Sequence, residues 1–375
     1  MSTIRSGGDS QTRNHLCLSL VRGVGPRIRQ ALLQRFGSPA AVLAASPSEL
    51  ISVTGVGTKL AQRIATARHV VDVDRELKIC ESGGVSIVTD SDDVYPRLLR
   101  EIHDPPGILF VRGTLQTRDA LSIAIVGTRH ATRYGHQQAS RFAASLARAG
   151  FTIVSGLARG IDAAAHRGAL EAGGRTVAVL GSGVLNIYPP EHASLADDVA
   201  KQGAVISELP PGMPPMSGSF PQRNRLVTGI SLGVIVVEAA TRSGALISAS
   251  HAMDQGREVF AVPGHIDNRV ARGTHRLIRD GATLIESVDD VLEQLGPLVD
   301  VLPQPSGQPL RHPAELMLND QERSVLNAIP ETGASIDQVV CRSGLPVHRV
   351  LSTISVLEMR KLVCRVSGQQ VARSV

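Results

Sequence analysis

Tryptophan is absent from this chain of 375 residues, which holds only three tyrosines and six phenylalanines. With so few aromatics, any ring that reaches solvent is conspicuous. Cysteine is scarce too: the four, at positions 17, 80, 341 and 364, show no CxxC or paired spacing. That argues against a disulfide framework or a zinc site and fits a reducing, cytoplasmic setting. No run of eighteen apolar residues occurs, so no membrane-spanning helix is expected. The opening stretch Met1–Ser10 lacks the apolar segment of a signal peptide. Two nucleotide signatures are missing as well. There is no Gly-Lys-Ser/Thr of a Walker loop, and Gly127-Thr-Arg-His-Ala-Thr132 is not GxGxxG. No acidic residue waits for a ribose at the end of the second core strand, where Ser155 and Gly156 stand. Asp162 with His166, and His251 with Asp254, each lack a third ligand at a recognised spacing, so no metal and no cofactor are expected.

What is present is a globular composition, 42% hydrophobic and 19% charged, in a chain long enough for two or three domains. The net charge of +5 is unevenly spread: residues 1–75 carry +6, residues 76–314 carry −2 and residues 315–375 carry +1. Basic character in the central region must therefore be local. Arginine outnumbers lysine, which favours forked phosphate contacts, although net charge alone says little about a polyanionic partner.

Residues 1–12 read as a loose tail and 13–80 as a small helical domain. Arg22-Gly-Val-Gly25 precedes Pro26, a favourable first helical position, and Ile28, Leu32, Leu33 and Phe36 fall on one face. The pattern recurs as Val53-Thr-Gly-Val-Gly57 ahead of Thr58–Ile64, with a Ser46-Pro-Ser-Glu49 capping box between them. Two Gly-Val-Gly turns, each opening a helix, look like paired helix-hairpin-helix units, in which backbone N–H groups hold a DNA phosphate. Gly23, Gly25, Gly55, Gly57 and Lys59 are thus candidate secondary DNA contacts, with Arg22, Arg27, Arg29 and Arg63 nearby. Tight glycine turns in a small bundle are the plainer alternative.

Residues 81–296 read as an α/β core. Gly83–Val88 is a strand candidate, and residues 104–113 a lead-in packed against the main sheet. Short β-branched runs at 123–126, 152–154, 176–180, 204–207, 231–238, 259–262 and 283–285 alternate with helical stretches. That alternation predicts a Rossmann-like, doubly wound, mainly parallel sheet. Residues 297–314 form a proline-rich linker. Residues 315–375 pattern as three helices (322–329, 336–341 and 347–359) and a short hairpin, a winged-helix-like domain with Gly368 as its wing turn.

In a parallel sheet the carboxyl ends of the strands share an edge. Gly127-Thr128-Arg129, Ser155-Gly156 and Gly181-Ser-Gly183 end three of them. Small residues there admit an anion to backbone N–H groups, and Arg129 offers a bidentate fork. The plainer roles are tight turns for the glycines and a surface ion pair for Arg129. The densest run is Ser219-Phe-Pro-Gln-Arg-Asn-Arg225, read as a basic loop beside the glycine-bounded segment 212–218. Phe220 suits stacking on a base, Arg223 and Arg225 suit phosphates, and Asn224 suits a base edge or a loop lock. The alternative puts Phe220 in the core and pairs Arg225 with Glu238. Thr241-Arg-Ser243-Gly244 leads into a further helix, and its amides and hydroxyls also suit a phosphate.

Together these segments point to one family. Gly127-Thr-Arg129, Ser155-Gly-Leu-Ala-Arg159-Gly-Ile-Asp162, Ala165-His166, Leu180-Gly-Ser-Gly183, Tyr188-Pro189, Phe220–Arg225, Thr241–Gly244 and Val262-Pro-Gly264 resemble the bacterial DNA-processing protein A family (DprA/Smf). The match runs from about Tyr95 to Leu295, and the flanking regions resemble that family's appendages. The resemblance implies a non-catalytic Rossmann-like core that binds single-stranded DNA, forms a homodimer and loads the RecA recombinase onto incoming DNA during natural transformation. It implies a phosphate contact at Arg129, places Phe220–Arg225 in the same pocket, and brings in Arg159 through its motif. The family's carboxyl-terminal domain ranges from duplex-DNA or partner binding to dispensable. Here Lys361 stands where a glycine is usual and Ser367–Val371 lacks the usual glycine pair and aromatic, so partner docking and plain packing stand beside base reading. The competing class is an enzyme. The same sheet and anion pocket, with Glu238 as its carboxylate, would suit a nucleotide or phosphoribosyl hydrolase, but no glycine-dense loop or second placed carboxylate accompanies it.

Overall fold

The computed structural model describes residues 10–299, 320–330, 333–359, 362–367 and 370–373. Most of the 1–12 tail and of the 297–314 linker, together with Lys361 and Gly368, lie outside the described residues. The chain forms two compact units. One holds the residues up to Ser287 except Arg148–Gly150; the other holds those three and the residues from Val288 onward.

The first unit begins with helices at Ser10–Leu20, Pro26–Phe36, Pro39–Val42, Pro47–Ile51, Thr58–Ala65, Ala67–Val70 and Val73–Ser82. Their apolar faces meet around Leu18, Leu32, Leu50 and Ile64. Gly23 and Gly55 turn the chain at φ 104° and 88°, a region that side chains other than glycine enter only under strain. A Cβ on Gly23 would lie 3.2 Å from Leu60, and one on Gly55 would lie 3.8 Å from Ile28. Each turn therefore packs against the helix that the other opens. Arg29, grouped by sequence with the surface cations, is instead buried. Its guanidinium donates to Asp90 at 2.8 Å and contacts His15 at 3.2 Å, in space that a Cβ on Gly107 would occupy. It fastens the helices to the margin of the sheet.

Nine strands make that sheet: β1 (Val85–Thr89), β2 (Ile108–Gly113), β3 (Ser122–Val126), β4 (Thr152–Ser155), β5 (Thr176–Val179), β6 (Ala204–Ser207), β7 (Gly233–Val236), β8 (Glu258–Ala261) and β9 (Thr283–Leu284). Their order is β1-β2-β6-β5-β4-β3-β7-β8-β9. All pairs from β6 to β9 are parallel. The lead-in is part of the sheet rather than packed against it, because β2 pairs antiparallel with β6 and β1 with β2. In that way the backbone groups of the buried run 108–111 are satisfied. Alternate residues feed opposite cores. Val177 and Val179 pack with Val126, Val154 and Val236, while Ala178 and Leu180 pack with Phe110 and Val205. Cover on both faces is why these strands read as continuous apolar runs.

Helices Arg133–Arg148, Ile161–Glu171, Ala193–Gln202, Ser219–Ile230, Gly244–Asp254 and Arg272–Arg279 flank the strands. β3 has β4 on one side and β7 on the other, so the winding direction reverses there and a crevice opens at its carboxyl end. The main departure from the sequence reading is Ser219–Ile230, a helix rather than a loop. Pro221 falls in its first turn, where a missing N–H leaves no bond unmade. Leu226, Val227 and Ile230 join the sheet's core.

In the second unit, helices Asp320–Ala328, Ile336–Ser343 and Val347–Met359 accompany an antiparallel sheet of β10 (Ala334–Ser335), β11 (Val363–Ser367) and β12 (Gln370–Arg373), in the order β10-β12-β11. Val325, Val339, Ile354 and Leu357 form its core. This is a winged-helix arrangement, in which the short strand Ala334–Ser335 pairs with β12 beside the hairpin. Among the described residues no helix is long and apolar enough to cross a membrane.

Candidate nucleic-acid interface

The parallel pairing of β3, β4 and β5 brings Gly127, Gly156 and the 181–183 turn to one edge, as the pattern required. What fills that edge differs from the expected anion cradle. A Cβ on Gly127 would meet Ile161 at 2.4 Å, one on Gly156 would meet the Arg223 guanidinium at 2.5 Å, and one on Gly181 would meet the Phe220 ring at 2.9 Å. The prolyl carbonyls of 210 and 211 stand against Gly183 in the same way. The amides are engaged too: Thr128 N donates to Glu238 O at 2.7 Å, Gly156 N to Asp162 Oδ2 at 3.2 Å and Gly183 N to Met213 O at 2.9 Å. Ser155 is fully buried and donates its hydroxyl to Ile125 O at 2.6 Å. The space these glycines leave is filled by protein atoms, side chains at Gly127, Gly156 and Gly181 and backbone carbonyls at Gly183.

Two of the four arginines assigned to ligand are likewise part of the floor. Arg223 is only 5% exposed. Its Nη1 donates to Gly156 O at 2.7 Å and to Val179 O, which anchors the Ser219–Ile230 helix across the ends of β4 and β5. Burial draws its pKa down to about 10 even though the Asp162 charge opposes that shift. Arg225 is buried as well and pairs with Glu208 at 2.5 Å and Asp104 at 3.3 Å, not with Glu238. Burial in turn raises the Glu208 carboxyl. Glu238 lies 2% exposed at the end of β7. It accepts the Thr132 backbone N–H at 2.9 Å and the Thr132 hydroxyl at 2.6 Å. Thr132 Oγ1 accepts from Gly135 N at 3.1 Å, so this carboxylate secures the start of the Arg133–Arg148 helix, where a negative charge is favoured. Beneath them His166 bonds Thr176 through Nδ1 at 2.7 Å, and burial depresses its pKa to about 3.

Above this floor lies an open cleft of about 480 Å³, lined among others by Arg129, Tyr188, Phe220, Asn224, Gly244 and Ile247, with Arg223 at its base. Arg129 is exposed, and among the described residues it makes no ion pair. Its guanidinium carbon stands 5.5 Å from the centroid of the Phe220 ring, within cation–π range. Phe220 is half-buried, not core: it rests on Gly181 and meets the ring of Tyr188 at 5.5 Å and 48°. Asn224 Nδ2 reaches Gly244 O at 3.3 Å, which ties the two helices that form one wall. Thr241 and Ser243 stand outside the lining. Ser243 caps the Gly244–Asp254 helix through a bond from Ala245 N at 3.3 Å. Arg159 is also outside, held by Glu191 at 2.5 Å. Sequence reasoning passed over Tyr188 as a site residue, although it is one of only three tyrosines and stands beside Pro189 just past a strand-end glycine turn. At 37% exposure it is among the few solvent-facing rings.

At the amino terminus Gly25 and Gly57 begin the Pro26–Phe36 and Thr58–Ala65 helices with extended backbone and no side-chain cap, and Lys59 is exposed. Among the described residues no cluster of three or more His, Cys, Asp or Glu is placed to hold a metal.

Comparison with known proteins agrees with this architecture. A family model for DNA recombination-mediator protein A matches residues 86–296, a SAM-like helix-hairpin-helix tandem matches 18–67, and the DprA winged helix domain matches 308–369. Protein Smf of Synechocystis is 35% identical over 97% of this chain and 99% of its own length. Protein Smf of Escherichia coli is 37% identical over 85% of each chain. Among solved structures, DNA processing protein A from Streptococcus pneumoniae superposes with a TM-score of 0.66 at 33% identity, covering 76% of this chain and 98% of that one. DNA processing protein A from Helicobacter pylori, whose structure was described for its single-stranded DNA binding mode, has a TM-score of 0.51 at 31% identity, covering 56% of this chain and 95% of that one. With its core matched throughout and relatives aligned almost end to end, this chain belongs to the DNA recombination-mediator protein A family.

Proposed function

We propose that this protein binds single-stranded DNA in the cleft above β3, without sequence preference, and passes it to the RecA recombinase during DNA uptake and recombination. The observation that carries the reading is Arg129: an exposed guanidinium without an ion pair among the described residues, laid over an aromatic ring at the winding reversal of the sheet. A cation for the backbone beside a ring for a base is the combination that holds a single strand of any sequence. The Helicobacter pylori relative has a single-stranded DNA binding mode of its own, which supports the same ligand here. The protein acts in this reading as a homodimer through its Rossmann-like core. The amino-terminal Gly-Val-Gly turns and the winged-helix unit add contacts to duplex DNA or to a protein partner. Nothing about Glu238 favours the hydrolase alternative, since both of its oxygens are engaged by Thr132.

A mobility-shift comparison of labelled single-stranded and duplex DNA of equal length tests the binding reading, and RecA nucleation on the protein-coated strand tests the transfer. Tighter single-strand binding, equal among sequences and weakened by salt, is expected. Equal or tighter duplex binding would overturn it, and unchanged RecA nucleation would remove the transfer step.

A further inference from the structure

Arg159 and Arg129 are both exposed cations on the strand-end turns, and among the described residues only Arg159 of the two is ion-paired. Arg159 Nε lies 2.5 Å from Glu191 Oε1, and the two side chains are 49% and 48% exposed. Two rings accompany the arginines. Phe220 carries Arg129 on its face, Tyr188 lies against Phe220, and Glu191, three residues past Tyr188 in the chain, holds the Arg159 guanidinium. The series is cation, ring, ring, cation. A single strand offers the matching alternation, with phosphates separated by bases.

We infer that a single strand in the cleft continues over Tyr188 to a second phosphate subsite at Arg159, and that Glu191 occupies this subsite until a phosphate displaces it. The inference rests on the binding reading above. The exchange balances in charge: one carboxylate leaves the guanidinium and one phosphodiester takes its place, both being acceptors that suit the arginine fork. An exposed ion pair contributes at most about 1 kcal/mol, so a phosphate can compete for the arginine. In the free protein Glu191 cancels one of the two cations of the track. A ligand that reaches only Arg129 leaves the second subsite shut, so occupancy of both requires a strand that spans the ring pair.

The test is fluorescence anisotropy of a labelled oligothymidylate with the full chain. Glu191→Gln should tighten binding by about two- to fivefold, the range open to an exposed pair. Arg159→Ala should weaken it, and adding Glu191→Gln to Arg159→Ala should change nothing further, which a double-mutant cycle reads directly. Tyr188→Leu should weaken binding while Tyr188→Phe retains it. Equal tightening by Glu191→Gln in both backgrounds would reduce Glu191 to a general negative charge and overturn the subsite. No tightening in either background would overturn it too. Arg129→Ala separates this outcome from failure of the binding reading. If Arg129→Ala weakens binding while Glu191 and Arg159 show no coupling, only the second subsite falls. If Arg129→Ala has no effect, the cleft assignment falls with it.

Discussion

The floor and the rim of the cleft draw on the same residue types for opposite ends. On the floor, Arg223, Arg225 and Glu238 are buried and each is engaged by protein groups. On the rim, Arg129 and Arg159 are exposed, and Arg129 lies over the Phe220 ring, which meets Tyr188. A buried guanidinium must be matched by acceptors or its desolvation goes uncompensated. An exposed one carries no such demand and stays available to a phosphate. The difference teaches that arginine in a family motif is no sign of ligand contact until its burial is known.

Substitutions can break this division. The largest effect is expected on the floor: Arg223→Met removes the Arg223 charge that favours the Asp162 carboxylate and leaves the Gly156 and Val179 carbonyls without a donor. It should cost about 3–5 kcal/mol of stability, seen as a lowered denaturant midpoint. A variant as stable as wild type would show that the floor is not structural. A pH series sharpens the same point. His166 is held neutral, with its pKa lowered by burial from 6.5 to about 3. The unfolded chain therefore takes up a proton that the folded one refuses, so this contribution is whole above pH 6.5 and is lost as pH falls toward 3. Thermal melts of His166→Asn should show a flatter acid limb than wild type; an identical limb would remove His166 from the account. On the rim, Phe220→Ala should weaken single-strand binding about tenfold, near the low end of base-stacking losses, with a far smaller stability change than Arg223→Met. The smallest effect is expected from removing residues 301–375, which should leave the core's single-strand affinity within about twofold, a difference of under half a kcal/mol. Loss of binding by a folded truncation would draw the second unit into the site.

Much of this was legible in the sequence. The runs at 123–126, 152–154, 176–180, 204–207 and 259–262 name strands because a sheet covered on both faces requires unbroken β-branched stretches. The strand-end glycines were equally visible, and they do gather at the carboxyl edge of the parallel strands beside the cleft. Their purpose was not. Whether Gly156 admits an anion or an arginine depends on a helix 67 residues away in the chain. The 219–230 segment hid its helix because polar and charged residues occupy its buried face, and their burial is intelligible only with Asp104, Glu208 and two strand carbonyls in view. Glu238 meets Thr132 across 106 residues, so no local pattern could tell a helix-fixing carboxylate from a catalytic one.

The most direct test of the division between rim and floor is the salt dependence of single-strand binding by Arg129→Ala, measured beside its melting temperature. An unchanged melting temperature, weaker binding and a slope of log affinity against log salt reduced by about 0.7 are predicted, the loss of one phosphate contact. An affinity and slope equal to those of wild type would contradict the assignment of Arg129 to DNA.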